Sequence, residues 1–486
     1  MATMNQYPPT APPPAPQPPY RYRRSIAGPL VLIIIGGIVL AHNLGWHFPI
    51  WRWFGHWWPL LLIAWGVIAL VEHAFGNRRR GLGGGWVLLL IVLVIIGVTA
   101  HYTSAYNWDN VRDQIQMDDD MGGIFGNAYT YEDTLEQAFP AHGSLRVVSD
   151  RGAVNITPSD GDMIRVVVHK KLYADDQAKG DKYNSETKPQ ITVTGDSVVL
   201  NANTNGAGDH NVAADMDILV PAGAAVDIAS KRGDVTVNSR KADVKIALQH
   251  GDISLSEIAA PVQVSLEKGS LRATQIDGDM DITGRIDDVT LDQVTGAVRL
   301  NGDFYDDVRL SQIAKSVIFK TSRSDIELAA VPGSMEISSD EVRADQLTGP
   351  SRVMTSSKDI HLENIAGDLQ VQSNNGDVEV TTGGNQPPGK MSVTTQHGDV
   401  ALTLGGKNPP DKVDVSTRHG DITLTLPAGT GFQVAAGTRK GDISSDFEAV
   451  KINQTNGMSQ ANGTVGNGSS KLQVSTDTGD IRIVKS

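Results

Sequence analysis

The sequence predicts an all-β parallel solenoid, β-helix-like, with about nine residues per strand-turn unit and two strands per coil, preceded by three transmembrane α-helices. Three observations predict it. Apolar–x–apolar triplets recur at a nine-residue step, Gly-Asp pairs precede many of them, and three uncharged apolar runs lie near the N-terminus.

The chain opens on a proline-rich segment, residues 7–20 (YPPTAPPPAPQPPY). Such a composition favours polyproline II and buries no core. A ligand for a proline-reading domain is one reading of it, and a solvated tail is the simpler one. The apolar runs follow at Ser25 to Leu44, Phe54 to Val71 and Leu82 to Ala100. Each approaches the roughly 20 residues needed to cross hydrocarbon. A cleaved signal peptide accounts for one such run but not for three in series.

Arginine sets the expected orientation. Arg21, Arg23 and Arg24 precede the first run, and Arg78, Arg79 and Arg80 separate the second from the third. The intervening loop has only Arg52, set among Trp46, Trp51, Trp53, Trp57 and Trp58. Positive charge stays cytoplasmic and tryptophan sits at the interface. The N-terminus is therefore expected inside, and everything after about His101 outside. Glu72, at the inner end of the second run, is read as reaching headgroups or nearby arginines rather than as a buried functional carboxylate.

The repeat fills the rest. Its first apolar residue falls at Val235, Val244, Ile253, Val262, Leu271, Met280, Val289 and Val298. It loosens through Val308, Val317, Ile326 and Met335, and returns at Ile360, Leu369 and Val378. The step then widens through Val400, Ile422 and Ile443, and a last unit starts at Ile481. Apolar–x–apolar is the period of a strand with one buried face. One short strand cannot bury that face alone, so coils of about 18–22 residues must stack into a shared core. Roughly eleven coils between residues 225 and 445, about 4.8 Å apart, make a rod on the order of 50 Å. A sandwich or propeller is the alternative, but neither keeps a nine-residue step.

Gly-Asp or Asp-Asp pairs stand ahead of the strands at Asp234, Asp252, Asp279, Asp288, Asp368, Asp377, Asp399, Asp421, Asp442 and Asp480. Glycine permits positive φ, and each Asp is expected to cap its own turn. Earlier strands are expected at Leu145–Val148, Val154–Ile156, Met163–His169, Gln190–Thr194, Ser197–Asn201 and Met216–Val220. Residues 172–189 read as a polar loop and residues 452–470 as an Asn/Gly/Ser-rich excursion. The organisation expected is a disordered cytoplasmic tail (1–24), a membrane module (25–104), a juxtamembrane linker (105–140) and an extracytoplasmic solenoid (141–486).

From about Phe139 the chain resembles the DUF4097 family of adhesin-type proteins. The resembling features are Gly143-Ser144-Leu145-Arg146-Val147, Arg151-Gly152-Ala153-Val154-Asn155-Ile156, Asp217 to Gly223 and the Gly-Asp series. The stretch from Gly28-Pro29-Leu30 to Glu72-His73, with Gly36-Gly37 and Trp57-Trp58-Pro59-Leu60, resembles the membrane module of LiaI/LiaF-like envelope-stress regulators. The resemblance implies a solenoid on a membrane module and leaves the activity open.

Composition excludes several classes. With no cysteine there is no disulfide, thiolate metal site or thiol nucleophile. Residues 1–105 carry a net +6 and the remainder −19, so the large domain repels nucleic acid and anionic lipid. The Asp rows invite a calcium reading, but the unit has one glycine and often no second acid, against six to eight oxygens for calcium. His250, His397 and His419 each precede Gly-Asp, and with two carboxylates a stacked pair of them has donors for zinc. Turn residues are the preferred reading of both sets. Arg232-Gly233-Asp234 matches an integrin-binding tripeptide, which a solenoid rich in Gly-Asp turns also produces by chance. Polysaccharide-cleaving β-helices need long loops over a groove, which nine-residue units lack, and no HExxH, GxSxG or P-loop motif occurs.

No catalytic, cofactor-binding or metal residue is assigned, and no cofactor is expected. The expected function is non-enzymatic: display of a binding or adhesion surface on the cell membrane for an envelope protein or carbohydrate, anchored in the lipid bilayer, with no nucleic-acid partner. A membrane regulator of envelope-stress signalling is the alternative, and a carbohydrate-active enzyme the remote third. Oligomeric state is not legible.

Overall fold

The computed structural model describes residues 127–206, 212–383, 389–405, 409–455 and 457–486. Residues 121–486 form one compact unit, distinct from residues 1–120. The proline-rich tail, the three apolar runs, the arginine pattern and Glu72 lie outside the described residues. Among the described residues no helix is long and apolar enough to cross a membrane.

The described chain is a stack of two-stranded coils forming two facing sheets, A and B. From β8 (Ala225–Arg232) to β18 (Val317–Lys320), eleven strands alternate between the sheets, B then A. Within this run each pairs in parallel with the strand two positions on. Equivalent residues are 18 apart, as in Ile253↔Leu271 of sheet A and Val244↔Val262 of sheet B, and 19 apart at its end, as in Val289↔Val308. The first two apolar residues of each unit point inward. Val235, Val237, Val244, Ile246, Leu271, Met280, Val289 and Leu300 are all at most 1% exposed and share one continuous core. In-register stacking of like residues is what a repeat sequence makes inexpensive, because every coil meets a copy of its own surface.

Two refinements modify this plan. In sheet A, Ser239, Glu257, Gln275, Gln293 and Gln312 hold φ of 52–57°. Pairing skips each of them, running from Ser256↔Thr274 straight to Ile258↔Ile276. The resulting stack of αL kinks turns a third apolar residue inward in each coil: Ile258, Ile276, Val294 and Ile313. Later, equivalent residues become 22 apart in both sheets, as in Val378↔Val400 and Leu369↔Met391. The added residues fall between the sheet A strand and the following sheet B strand, since Val378 to Met391 spans 13 positions and Ile253 to Val262 spans nine.

The loosened part of the repeat has a physical cause. Ile326 and Met335, expected on successive parallel units, lie on one strand, β19 (Ser324–Ile337), which runs antiparallel to its neighbours. Its first half pairs in sheet B with β18 and with β21 (Thr348–Thr355). Its second half pairs in sheet A with β17 (Val308–Ile313) and β20 (Glu341–Asp345). No Gly-Asp turn precedes it. Instead Thr321 Oγ1 accepts from the N–H groups of Arg323 (3.1 Å) and Ser324 (2.9 Å), closing a hairpin that sends the chain back. One coil of the stack is thus reversed, and the parallel order resumes after it.

Both ends are interleaved out of sequence order. At the start, β2 (Ser144–Ser149) inserts between β6 (Ser197–Asn201) and β8 in sheet B. Likewise β3 (Val154–Ser159) inserts between β7 (Val212–Pro221) and β9 (Val235–Arg240) in sheet A. At the finish, β33 (Ser470–Thr478) lies between β27 (Lys412–His419) and β29 (Phe432–Lys440). Beside it β34 (Ile481–Lys485) lies between β28 (Ile422–Leu426) and β30 (Ile443–Ser445). The unit at Ile481 is therefore an inner coil, with both of its edges paired.

Three expectations from the sequence are corrected. Residues 127–138, assigned to the linker, form β1 (Asn127–Ala138), antiparallel to β4 (Met163–Ala174). The polar stretch 172–189 ends β4 and forms helix α1 (Gln177–Glu186), because Asp176 accepts from Lys179 N (2.8 Å) as an N-cap. The 452–470 excursion contains the hairpin of β31 (Val450–Thr455) and β32 (Met458–Val465).

Candidate functional site: a charged groove at the reversed coil

The residues singled out by sequence occupy the turns. The Asp rows are structural in a different way from that expected. Except for Asp442, whose carboxylate accepts from Gln454 Nε2 (3.1 Å), each carboxylate serves the neighbouring coil rather than its own turn. Asp234 Oδ1 accepts from Asp252 N (2.9 Å), and Asp252 Oδ1 from Ser270 N (2.8 Å). A longer ladder runs Asp359, Asp377, Asp399, Asp421, Asp480, Asp442, every step 2.8–2.9 Å and each following the spatial order of the coils. On the sheet B side, Asp279 serves Ala297 N (2.8 Å). In-register coils place the next turn's N–H only about 4.8 Å along the stack, which brings it within a side chain's reach. Among the described residues no group of three or more His, Asp or Glu is placed to hold a metal ion.

His397 and His419 stack in register, ring centroids 5.1 Å apart and planes 21° from parallel. His250 lies elsewhere in the stack, between Arg232 and Lys268. Arg232-Gly233-Asp234 is not a protruding loop. It is wedged between coils, with Gly233 N donating to the His250 carbonyl (3.0 Å) and Gly152 N to the Arg232 carbonyl (2.9 Å).

The most distinctive surface lies on the outer face of sheet A, where β19 reverses. Two columns of outward side chains run across the coils there. One reads Arg272, Thr290, Arg309, Glu336, Arg343, with His361 next. The other reads Thr274, Asp292, Ser311, Ser334, Asp345, Glu363. Between them is an open groove of about 470 Å³. The antiparallel strand contributes to both walls: Glu336 and Ser334 of β19 continue the columns in register with Arg309 and Ser311.

The groove is ordered by charge pairs. Arg309 Nε donates to Glu336 Oε1 (3.1 Å), and its Nη2 pairs with Asp307. Arg343 Nη2 reaches both carboxylate oxygens of Glu341 (2.9 and 3.2 Å). Asn364 Nδ2 donates to Asp345 (2.7 Å), and His361 lies against Glu363 (2.7 Å) and Glu379 (3.0 Å). These exposed pairs add little stability. Their effect is positional: guanidinium, hydroxyl and carboxylate groups are held at strand spacing along an open trough. Such an array suits an extended, polar, repetitive partner, with many weak contacts in register. The apolar–x–apolar pattern alone does not reveal the groove, since Glu336 and Arg343 join the column only through the reversed strand.

Sequence reading also missed Arg240. It is fully buried at the third inward position, where later coils carry Ile258 and Ile276. Its guanidinium donates to the carbonyls of Val220 (3.1 Å), Pro221 (2.6 Å) and Ala224 (2.8 Å), locking the turn between β7 and β8. Burial pushes it down to about 10, so it remains charged at neutral pH.

The fold and its surface define a non-globular scaffold, a stacked β coil presenting repetitive polar faces. Residues 278–426 and 410–484 match the Toastrack DUF4097 family model, and residues 27–111 match the LiaF transmembrane domain. The chain therefore has a region matching Toastrack DUF4097 behind one matching the LiaF transmembrane domain, and both resemblances noted in the sequence are upheld. The motifs at 143–156 and 217–223 lie outside the matched ranges, although their strands belong to the same stack. Among solved structures, a candidate cell adhesion protein from Clostridium sporogenes is 10% identical, covering 74% of this chain and 100% of its own, with a TM-score of 0.17. A candidate adhesin from Bacteroides fragilis is also 10% identical, covering 73% and 97%, with a TM-score of 0.16. At these scores neither likeness bears on function. No curated protein matches the chain significantly.

Proposed function

We propose that this is a membrane-anchored envelope protein that displays its solenoid outside the cytoplasm and binds an extended partner, an envelope protein or glycan, along the sheet A groove. The reading is one of binding rather than catalysis. The arginine pattern and the LiaF-type match at 27–111 support a reading with three spans, a cytoplasmic tail (1–24) and an outward solenoid. In this reading β1 belongs to the displayed region. The observation that carries the binding site is the groove between the Arg272 and Thr274 columns.

A photo-crosslinking residue at Thr290, in living cells, tests it. A discrete crosslinked species is expected from position 290 and none from Ser265, on the outer face of sheet B. The same products from both positions, or none from 290, would remove the groove from the account. A regulator of envelope-stress signalling is the second reading, favoured by the LiaF-type match alone. It predicts that deleting the chain changes the transcriptional response to envelope damage and that supplying residues 27–111 without the solenoid restores it.

A further inference from the structure

Strand β1 differs from the regular coils of the stack. It is the first described strand after the LiaF-type segment and forms the edge of sheet A, pairing only with β4. None of its twelve residues is fully buried. Only Leu135 packs against the main core, and Tyr129 and Tyr131 pack against the small cluster of Leu172, Ala174 and Val212. The regular coils, in contrast, bury two or three aliphatic residues per strand.

Charge takes the place of burial. β1 contains Glu132, Asp133 and Glu136 and no base, while β4 contains Arg165, His169, Lys170 and Lys171 and no acid. Register brings them together. Glu136 meets Arg165 (3.4 Å), and Glu132 lies 3.8 Å from His169, which Asp217 of β7 also approaches at 3.6 Å. Asp133 pairs with Lys170 at 2.6 Å. The Lys170 ammonium is fully buried, and its other partners are the carbonyls of Asn184 (3.3 Å) and Thr187 (3.4 Å) at the C-terminal end of α1.

Helix α1 lies over the same strand as a clasp. The Tyr131 hydroxyl donates to Asp181 (2.8 Å) and accepts from Gln177 (3.2 Å). Gly180 is the helix's buried residue, and a Cβ there would come within 2.9 Å of the Tyr131 hydroxyl and 3.2 Å of the Tyr129 ring. The helix belongs to no coil.

We propose that β1 is a releasable tether: a strand zipped to β4 by charge and held by α1, which can detach while the coils remain folded. Release would free twelve residues of chain, about 40 Å of reach at ~3.3 Å per extended residue. It would also open the basic edge of β4. Exposed ion pairs weaken as salt screens them, whereas aliphatic burial does not, so ionic strength separates the two kinds of attachment. The role as a tether rests on the membrane-anchored reading above. The detachment itself does not, and the experiment reads detachment alone.

The test is hydrogen exchange by mass spectrometry on the full chain in lipid nanodiscs. Raising salt from 50 to 500 mM is expected to speed exchange across 127–138 at least threefold and leave 262–300 unchanged. Glu136→Arg is expected to speed β1 exchange about tenfold at low salt, and adding Arg165→Glu to restore it. Asp133→Asn, which strips the buried ammonium of its carboxylate, should act in the same direction. The proposal is overturned if β1 exchanges as slowly as the coils at both salts. It is equally overturned if every variant that frees β1 also loosens 262–300, which would make the strand an integral part of the cooperative stack.

Discussion

Val289→Asp tests the inside-outside phase of the whole stack. Val289 is fully buried in sheet A, in register between Leu271 and Val308. Removing the isopropyl group forfeits roughly 1.5–2 kcal/mol of burial. A carboxyl placed there faces only aliphatic neighbours. Even if it takes up a proton, the unpaired polar group costs about 1–3 kcal/mol more. The expected loss is therefore about 3–5 kcal/mol, transmitted to the coils on either side because each coil is supported only by its neighbours. Thr290→Asp moves the same carboxyl one residue along, to the outer face between Arg272 and Arg309. There it gains two guanidinium neighbours in solvent, and stability should change by less than about 0.5 kcal/mol. Urea denaturation of residues 121–486, followed by far-ultraviolet circular dichroism, measures both. Equal losses from the two substitutions would refute the assignment of faces.

Gly398 holds φ +145°, and a Cβ there would strike the Gly376 carbonyl, so Gly398→Ala should cost about 2–3 kcal/mol, while Gly429→Ala, with nothing within 4 Å and no positive φ, should be near neutral. Comparable melting temperatures for the two would show that the turn column is not sterically fixed. Arg240→Met fills similar volume but leaves three carbonyls without their donor, and a loss of about 3 kcal/mol is expected. An unchanged or raised stability would mean that the buried guanidinium contributes nothing to the turn. For the carboxylate ladder, Asp399→Asn keeps the acceptor for Asp421 N and should be within about 0.5 kcal/mol, whereas Asp399→Ala should cost about 1 kcal/mol. Millimolar calcium should raise the melting temperature by no more than a few degrees, and a large calcium-specific rise absent with magnesium would make the ladder a metal site.

The sequence carried the periodic part of the fold because periodicity is a local signal. Val235, Val244, Ile253 and their successors declare the buried face within three residues each, and the Gly-Asp pairs declare the turns. What it did not carry is set by contacts between residues far apart or by an exception to the period. The third inward residue, Ile258 or Ile276, escapes the alternation because an αL residue, Glu257 or Gln275, precedes it and breaks the count. Ile326 and Met335 kept the spacing of the repeat while the strand between them ran backwards, since the nine-residue step does not encode direction. The inner placement of the Ile481 coil depends on which edge is left open by β27 to β30. The Asp residues were expected to cap their own turns, and the partner N–H instead belongs to another coil. The groove and the β1–β4 zipper were invisible for the same reason. Arg343 meets Glu336 across a hairpin, and Asp133 meets Lys170 across an edge that the sequence assigned to a linker.

The account stands most directly on the sidedness of the chain, and the absence of cysteine makes that measurable. Single cysteines at Arg79 and at Thr290 can each be labelled in intact cells with a membrane-impermeant maleimide. The account predicts labelling at 290 in intact cells, and labelling at 79 only after the membrane is permeabilised. Labelling at 79 and not at 290 in intact cells would place the solenoid in the cytoplasm and contradict its display on the envelope.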